Sequence, residues 1–230
     1  MSTVEKRNFQ TSQDSNYIAY PDNEKEVSSF IKKSYKTNAT IEIVGSRSKK
    51  KIGKPIQCTK VLNLSKLNGI IEYLPEELYI KVKGCTPIQK IEEELKKNKQ
   101  QLIFEPIDFG CMLSGKSDYG TAAGQVACNI AGPRRFRDGS IRDHVLGFRG
   151  VNGRGEVIKS GGTVVKNVTG YDLSKLICGS YGTLAALTEI TFKVLPMLEE
   201  SNTLIIPSDV NNISSMLATA MSVIDKTKKK

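Results

Sequence analysis

The hydrophobic positions in the first half of the chain follow two spacings, one typical of helices and one typical of strands. Apolar residues three and four positions apart predict an amphipathic helix that begins near Pro21 and a second helix over residues 87–98. Residues 1–20 follow neither spacing, and we expect an irregular N-terminal segment there. Short apolar runs predict strands at residues 40–44, 61–64, 70–73 and 78–82, and a further apolar segment follows at 102–104.

The second half of the chain combines hairpin signals with short helices. Residues 143–151 and 156–159 predict two strands around the turn Asn152-Gly153-Arg154-Gly155. A short helix is expected at 172–177, and residues 186–195 alternate like a strand that Pro196 ends. Hairpins interspersed with helices predict the α+β class rather than a regular doubly wound sheet.

The pattern changes after Pro196. One strand is predicted at 203–206 and one amphipathic helix at 210–224, and a basic tail follows. A single strand and a single helix cannot bury a core by themselves. We therefore expect residues 197–230 to be either the start of a second unit that is cut short or an appendage packed on the first.

Composition and charge narrow the classes of function. The 230 residues carry a formal net charge of +10, but the basic residues are spread out and few aromatic residues lie between them, so a nucleic-acid partner is not expected. The chain has no apolar stretch of the roughly 18–20 residues that a membrane span needs, and its N-terminus lacks the apolar core of a secretory signal. A cytoplasmic protein is therefore expected. Five cysteines without a C-x-x-C pair argue against a disulfide framework or a zinc site, and one histidine excludes a metal site with two imidazoles.

A first candidate binding loop, Gly45-Ser46-Arg47-Ser48-Lys49, follows a predicted strand directly. A small, polar turn of this kind can direct several backbone N–H groups at one anion, and its basic side chains add positive charge. It is not a P-loop, because the pattern G-x-x-x-x-G-K-[ST] is absent. An ordinary surface turn remains the alternative.

A second candidate loop, residues 120–129, is dense in glycine and alanine. Small residues permit close approach of the backbone to a bulky ligand, and Val126 and Ala127 predict a short helix whose N-terminus would face that ligand. Tight packing of backbone against backbone is the alternative. The loop is not a dinucleotide-binding fingerprint, because G-x-G-x-x-G is missing. A third loop of small residues, 179–184, precedes the last strand.

The order of these motifs resembles the PCMH-type FAD-binding domain that vanillyl-alcohol oxidase, p-cresol methylhydroxylase and D-lactate dehydrogenases share. Within that family, residues 127–196 look most similar to the FAD-binding E subunits of bacterial glycolate oxidases. Tyr181 stands where the catalytic D subunits typically have glutamate. The motifs that carry the resemblance are Gly132-Pro133-Arg134-Arg135, Arg142-Asp143-His144-Val145-Leu146-Gly147, Val151-Asn152-Gly153-Arg154-Gly155-Glu156, Lys166-Asn167-Val168-Thr169-Gly170-Tyr171-Asp172-Leu173 and Gly179-Ser180-Tyr181-Gly182-Thr183-Leu184.

The resemblance implies a fold of two α+β subdomains, about 21–104 and 105–196, which hold FAD between them. A cap domain would follow, of which residues 197–230 would be a truncated remnant. The expected cofactor contacts fall in the three loops and at a few positions beyond them. They are Val44, Gly45, Ser46, Arg47, Ser48, Lys49, Gly120, Thr121, Ala122, Ala123, Gly124, Ala127, Asn129, Arg134, Asp143, Gly182, Thr183 and Ile190.

Three side chains in these motifs have alternative roles. The family prefers glycine where Ser46 and Arg47 stand, so Arg47 either narrows the loop or pairs its guanidinium with a phosphate. Arg134 could hold an anion or form a surface salt bridge. His144 lies in a motif that resembles a strand, where we expect a structural role.

The resemblance also implies an activity, the oxidation of a small 2-hydroxy acid such as glycolate or D-lactate. The expected protein partners are a catalytic subunit that contains FAD and an iron–sulfur subunit, since the chain has no iron–sulfur cysteine pattern. The complex could sit peripherally on the inner membrane. We identify no catalytic base in the sequence. The alternative is an accessory assembly subunit of the same complex that binds FAD weakly or not at all.

Overall fold

The computed structural model describes residues 9–11, 17–50, 52, 57–115, 117–162 and 171–197. Residues 1–197 form one compact unit and residues 198–230 a second. The strand and helix predicted after Pro196, the basic tail and the motif at 166–170 therefore lie outside the described residues. None of the helices in the described ranges is long and apolar enough to cross a membrane.

A four-stranded sheet opens the fold, with the strand order β1-β2-β4-β3. Strand β2 runs antiparallel to β1 and parallel to β4, which in turn runs parallel to β3. The sequence predicted an irregular segment over residues 1–20, and that prediction is wrong for β1 and β2. Each of these strands has three residues, too few to show a spacing, and long-range pairing holds β2 in place. The elements of this layer are β1 (Phe9–Thr11), β2 (Tyr17–Ala19), α1 (Glu24–Lys36), β3 (Ile41–Val44) and β4 (Lys60–Asn63).

A six-stranded antiparallel sheet forms the second layer, with the order β5-β6-β10-β8-β9 and with β7 paired to the end of β10. Its elements are β5 (Ile70–Leu74), a 3-10 turn (Pro75–Glu77), β6 (Tyr79–Lys83), α2 (Ile88–Lys97), β7 (Gln100–Leu102), α3 (Phe109–Ser114), α4 (Ala122–Cys128), α5 (Arg135–Asp138), α6 (Ile141–His144), β8 (Val145–Asn152), β9 (Val157–Gly161), α7 (Leu173–Ile177) and β10 (Ala185–Pro196).

The two sheets divide the chain between Asn63 and Ile70 rather than near residue 104, where the sequence predicted the subdomain boundary. Strand β5 pairs with β6, and β6 pairs with β10, more than 100 residues further along the chain, so both strands belong to the second layer. The α+β class is as expected. The error in the boundary arises because hairpin spacing shows that β5 and β6 pair with each other but not which sheet they join.

Two hydrophobic cores lie on opposite faces of the six-stranded sheet. One face packs against helices α2, α4, α6 and α7, with Phe104, Ile190 and Phe192 fully buried there. The other face contributes Val151 and Ala186 to a second core, which the apolar side of α1 and the four-stranded sheet complete. Helix α1 therefore lies between the two layers and contacts both.

A charged contact also joins α1 to the six-stranded sheet. Arg149 Nε lies 2.7 Å and 2.9 Å from the two carboxylate oxygens of Glu24, and Thr188 Oγ1 donates to the same carboxylate at 2.8 Å. Burial acts to raise the pKa of the Glu24 carboxyl, but the hydrogen bonds from Arg149 and Thr188 and the Arg149 charge outweigh it, so the pKa lies below its ordinary value.

We expect Glu24→Gln to lower the free energy of unfolding by about 1 kcal/mol at neutral pH, because the pair is only partly buried. The lowered pKa means that the contact stabilises the fold above the ordinary glutamate pKa of about 4.3, and that this contribution is lost as the pH falls through the folded-state value. Urea unfolding of both proteins at several pH values measures the difference. Glu93→Gln, at an exposed position of α2, is the control. A difference that stays the same in acid would contradict the assignment.

Candidate functional site

Three loops from both layers converge at one place. Loop 1 (residues 45–49) follows β3, loop 2 (120–124) leads into α4, and loop 3 (179–183) precedes β10. A Cβ added to Gly45 would stand 3.1 Å from Thr121 Oγ1, so loops 1 and 2 are in contact. Loop 3 is bound to α4, since the N–H of Tyr181 donates to the carbonyl of Ala127 at 2.8 Å. We call these three loops the cradle.

Loop 1 has the backbone of an anion-binding turn. Arg47 adopts a φ of +63°, in the left-handed region that favours glycine, and its side chain is exposed. The backbone N–H groups of residues 46–49 donate to no acceptor in the part of the chain that the structure describes. Consecutive unpaired N–H groups around a left-handed residue form a concavity that suits anions. Arg47 thus keeps the backbone geometry that a glycine would adopt there.

Loop 2 leaves space that a larger residue would fill. Gly120 has a φ of +79°, and a Cβ at this position would stand 2.8 Å from both Lys49 Nζ and Ser48 Oγ. A Cβ on Gly124 would stand 3.8 Å from the same lysine nitrogen. The ammonium group of Lys49 therefore lies between loops 1 and 2.

The first turn of α4 differs from the sequence prediction. Its N–H groups bind protein acceptors: Ala122 N donates to Thr86 O at 2.9 Å, Ala123 N to Gly84 O at 2.7 Å, and Gly124 N to the Oγ1 of the N-cap residue Thr121 at 3.2 Å. These bonds fix loop 2 to the segment that follows β6. The prediction that the helix start presents unpaired N–H groups to a ligand is wrong, because the neighbouring backbone uses them.

Some predicted contact residues have structural tasks in the fold. Asn129 ends α4 with a φ of +49°, and its Oδ1 accepts from Arg142 N. Asp143 forms a capping box with Ser140, and these hydrogen bonds hold its pKa below the ordinary value. Ile190 is fully buried in the middle of β10. As ligand contacts, these three residues remain predictions.

Two further residues of the sequence motifs, Arg134 and His144, contact Asp138. Arg134 is exposed, with its Nε 3.7 Å from a carboxylate oxygen of Asp138 and its backbone N–H donating to Glu105. His144 does not lie in a strand: it is the last residue of α6, buried, with Nε2 2.7 Å from the carbonyl oxygen of Asp138. The capping box of Ser140 and Asp143 begins this helix, and the contact with Asp138 gives His144 a structural role.

The sequence did not predict four side chains that lie near Lys49 or near Gly45 of loop 1. Phe109 is the first residue of α3, where Asp108 Oδ1 accepts from Cys111 N at the helix start, and Asp118 follows that helix. Asp118 Oδ1 accepts from Gly120 N at 2.7 Å. An aspartate two residues before a glycine is a turn signal that could have revealed this contact. The others are Cys128 on α4 and Cys85, whose sulfur lies 3.2 Å from the Cβ position of Gly45.

The cradle fits an elongated ligand that carries phosphate groups. The ammonium group of Lys49 and the hydroxyl of Ser48 lie beside the space that Gly120 leaves open, and the N–H groups of loop 1 have no acceptor among the described residues. Buried oxygen atoms of Ser180 in loop 3 and of Gln125 in α4 have no hydrogen-bond partner among the described residues, and buried polar atoms of this kind require one. The residues present therefore suit the diphosphate and the polar chain of FAD.

Comparison with known proteins identifies the family of the chain. Residues 15–161 match the family model described as FAD binding domain, and residues 194–229 match a model described as the C-terminal region of band_7. The chain is 46% identical over 154 residues to glycolate oxidase subunit GlcE of Escherichia coli K12, which is 67% of this chain and 42% of that protein. It is 34% identical over 159 residues to a D-lactate dehydrogenase of Anaerostipes hadrus, 69% of this chain and 31% of that protein.

Two further relatives extend the comparison. The chain is 32% identical over 171 residues to glycolate oxidase subunit GlcD of Bacillus subtilis, 74% of this chain and 34% of that protein. Among solved structures, alkyldihydroxyacetonephosphate synthase aligns with a TM-score of 0.63 at 22% identity, over 78% of this chain and 31% of that chain, and shows the fold alone. The chain spans less than half the length of each of these relatives. It belongs to the family of PCMH-type FAD-binding domains, and its cofactor is FAD.

Proposed function

We propose that this chain is the FAD-binding part of an oxidoreductase that acts on a small 2-hydroxy acid, of the glycolate or D-lactate type. The observation that carries the proposal is the convergence of loops 1 and 2 around the ammonium group of Lys49, an arrangement that would suit a diphosphate. The relatives named as glycolate oxidase subunits and as a D-lactate dehydrogenase support the substrate class.

Individual residues have separate tasks in this proposal. The N–H groups of residues 46–49 and the Lys49 ammonium would hold the diphosphate, and Gly120 and Gly124 would give the ligand room to reach the backbone. The backbone of Gly182 and Thr183 would border the other end of the cradle. When bound, FAD supplies the capacity to accept a hydride from an alcohol carbon.

The proposal includes partner proteins. His144, the one histidine of the sequence, is buried, with Nε2 2.7 Å from the carbonyl oxygen of Asp138. We propose that the base is supplied from outside the described residues, and that electrons pass through a catalytic FAD subunit and an iron–sulfur subunit. The complex would lie in the cytoplasm, peripheral to the inner membrane.

An accessory assembly role is the second candidate, and Arg47 is the observation that favours it. A side chain other than glycine at φ +63° costs about 1 kcal/mol of strain, and the arginine side chain borders the cradle. An assembly subunit would keep the fold and the loops but bind FAD weakly.

The absorption spectrum of the purified chain separates these two functions. We expect flavin bands near roughly 375 and 450 nm, as for any bound flavin, and we expect the band at the longer wavelength to bleach when glycolate or D-lactate is added to the complex co-purified with its partner subunits. Acetate, which lacks the hydroxyl group, is the control ligand. A folded chain that stays colourless after incubation with FAD would refute the flavin-binding function and favour the assembly role.

A further inference from the structure

The side chain of Lys49 is partly buried, and its ammonium group lies between loops 1 and 2 of the cradle. Its ammonium nitrogen lies 2.8 Å from the Cβ position of Gly120 and 3.8 Å from that of Gly124, and the ring centroid of Phe109 is 5.5 Å away. An ammonium group is a compact and strongly hydrated charge. Removing it from water costs free energy unless an anion compensates the loss.

The charged and titratable groups that face Lys49 do not neutralise it. Burial lowers the pKa of Lys49, and Cys128 on α4 and Asp118 before loop 2 oppose that effect without outweighing it. The Asp118 carboxylate accepts a hydrogen bond from Gly120 N. Within the described ranges, no carboxylate forms an ion pair with Lys49. The protein therefore holds a poorly compensated cation beside the unpaired N–H groups of loop 1.

We propose that Lys49 binds the diphosphate of FAD and that the protonation of its amine controls how tightly FAD is held. This inference rests on the proposed position of FAD in the cradle. A diphosphate brought between loops 1 and 2 supplies the anion that the fold lacks, and charge-assisted hydrogen bonds to phosphate are among the strongest in proteins. Arg47, with its exposed side chain, contributes backbone geometry, while Lys49 contributes the charge.

The pH dependence follows from the two states of the lysine. In the free protein burial favours the neutral amine, whereas a bound diphosphate favours the ammonium form. FAD affinity is therefore highest at a pH where Lys49 is already charged in the free protein. The affinity falls as the pH rises above the pKa that Lys49 has in the free protein, because binding of FAD must then take up a proton.

The effect of Cys128 on the pH dependence of FAD binding must be separated from that of Lys49. Burial raises the pKa of the Cys128 thiol, while the Lys49 charge acts to lower it. A thiolate formed in alkaline solution would also repel a diphosphate. Cys128→Ser removes the thiol with little change in volume. The Lys49 variants are therefore compared with one another in a protein that also carries Cys128→Ser.

The experiment measures the dissociation constant of FAD by fluorescence from about pH 7 up to about pH 10, just below the ordinary lysine pKa of about 10.4. We expect the Lys49 protein to lose affinity as the pH rises. Lys49→Arg should bind FAD at every pH with a flat profile, because guanidinium stays charged. Lys49→Gln should bind about 10- to 100-fold more weakly at pH 7, as expected for the loss of a charged hydrogen bond.

Lys50→Gln is the matched control for charge. Lys50 is exposed. Its charge acts on the Cys58 thiol instead: burial and Glu42 raise the pKa of that thiol, and the Lys50 charge acts to lower it. Removing this charge should leave FAD binding within about twofold. The melting temperature of each variant without FAD is a second readout. It should not fall in Lys49→Gln, because a partly buried cation without an ion-pair partner does not stabilise the empty fold.

Three results would overturn the inference. These are wild-type affinity in Lys49→Gln, an alkaline loss of affinity that persists in Lys49→Arg, or a lowered melting temperature of Lys49→Gln without FAD. A different result would contradict the proposed function itself: neither the parent chain nor the Cys128→Ser protein would take up FAD.

Discussion

Gly120→Val is expected to abolish retention of FAD while the chain stays folded. The Cβ of the new side chain would stand 2.8 Å from Lys49 Nζ and from Ser48 Oγ, and the Cγ atoms would reach further into the space between loops 1 and 2. The flexible ends of these two side chains can move aside in the empty protein. With FAD bound there is no room for them to move, so we expect an affinity loss of about 100-fold or more, at the upper end of overpacking costs of about 3 kcal/mol.

Gly115→Val separates the loss of space from the strain of the backbone. Gly115 has a φ of +73°, close to that of Gly120, but a Cβ there would meet nothing within 4 Å. Both variants pay the cost of a side chain in the left-handed region, about 1 kcal/mol or more. FAD retained on desalting, read from the absorption spectrum, should be lost in Gly120→Val alone. Equal retention in the two variants would place the cofactor elsewhere.

Gly84→Ala is expected to destabilise the fold by about 3 kcal/mol or more, through the clash of a new methyl group with backbone. A Cβ at Gly84 would stand 2.2 Å from the carbonyl oxygen of Leu187, which cannot move without shifting β10. The same glycine donates its N–H to Thr188 O at 2.7 Å and accepts from Ala123 N at 2.7 Å. Gly84 thus joins β10 to the start of α4, and its replacement should also weaken FAD binding.

Urea unfolding, followed by circular dichroism, measures the change in the free energy of unfolding. Gly153→Ala is the control, because Gly153 lies in the exposed hairpin turn, has an ordinary φ and would place its Cβ in open space. We expect that variant to unfold within about 0.5 kcal/mol of the parent chain. Equal unfolding midpoints for the two variants would show that the backbone contact at Gly84 is looser than the structure has it.

The elements that could be predicted from the sequence are those whose signal is local. Helices α1 and α2 show an apolar stripe over three turns, and the hairpin of β8 and β9 shows its turn residues. Strand β2 and helices α3 and α6 were missed or assigned wrongly, because each has three to six residues. Such short elements depend on pairing with distant residues, and a spacing cannot show this.

The candidate site divides in the same way. Loops 1, 2 and 3 could be found because close backbone approach and positive φ restrict the residue types, so that small residues accumulate. The contacts of Lys49 with Gly120 and Phe109 could not be found, since they join residues about 60 to 70 positions apart. Arg47 shows the limit of residue type as a guide: its backbone adopts the glycine-like conformation although its side chain suggests otherwise.

The position of β10 has a consequence for the synthesis of the protein. This strand lies between β6 and β8 and also pairs with β7, yet it is the last of the described strands to leave the ribosome. Until residue 196 has emerged, β6 and β8 each expose an unpaired edge, and exposed edges invite pairing with other chains. The six-stranded sheet must therefore form after translation of its central strand, and the nascent chain is most prone to aggregate in the interval between β8 and β10.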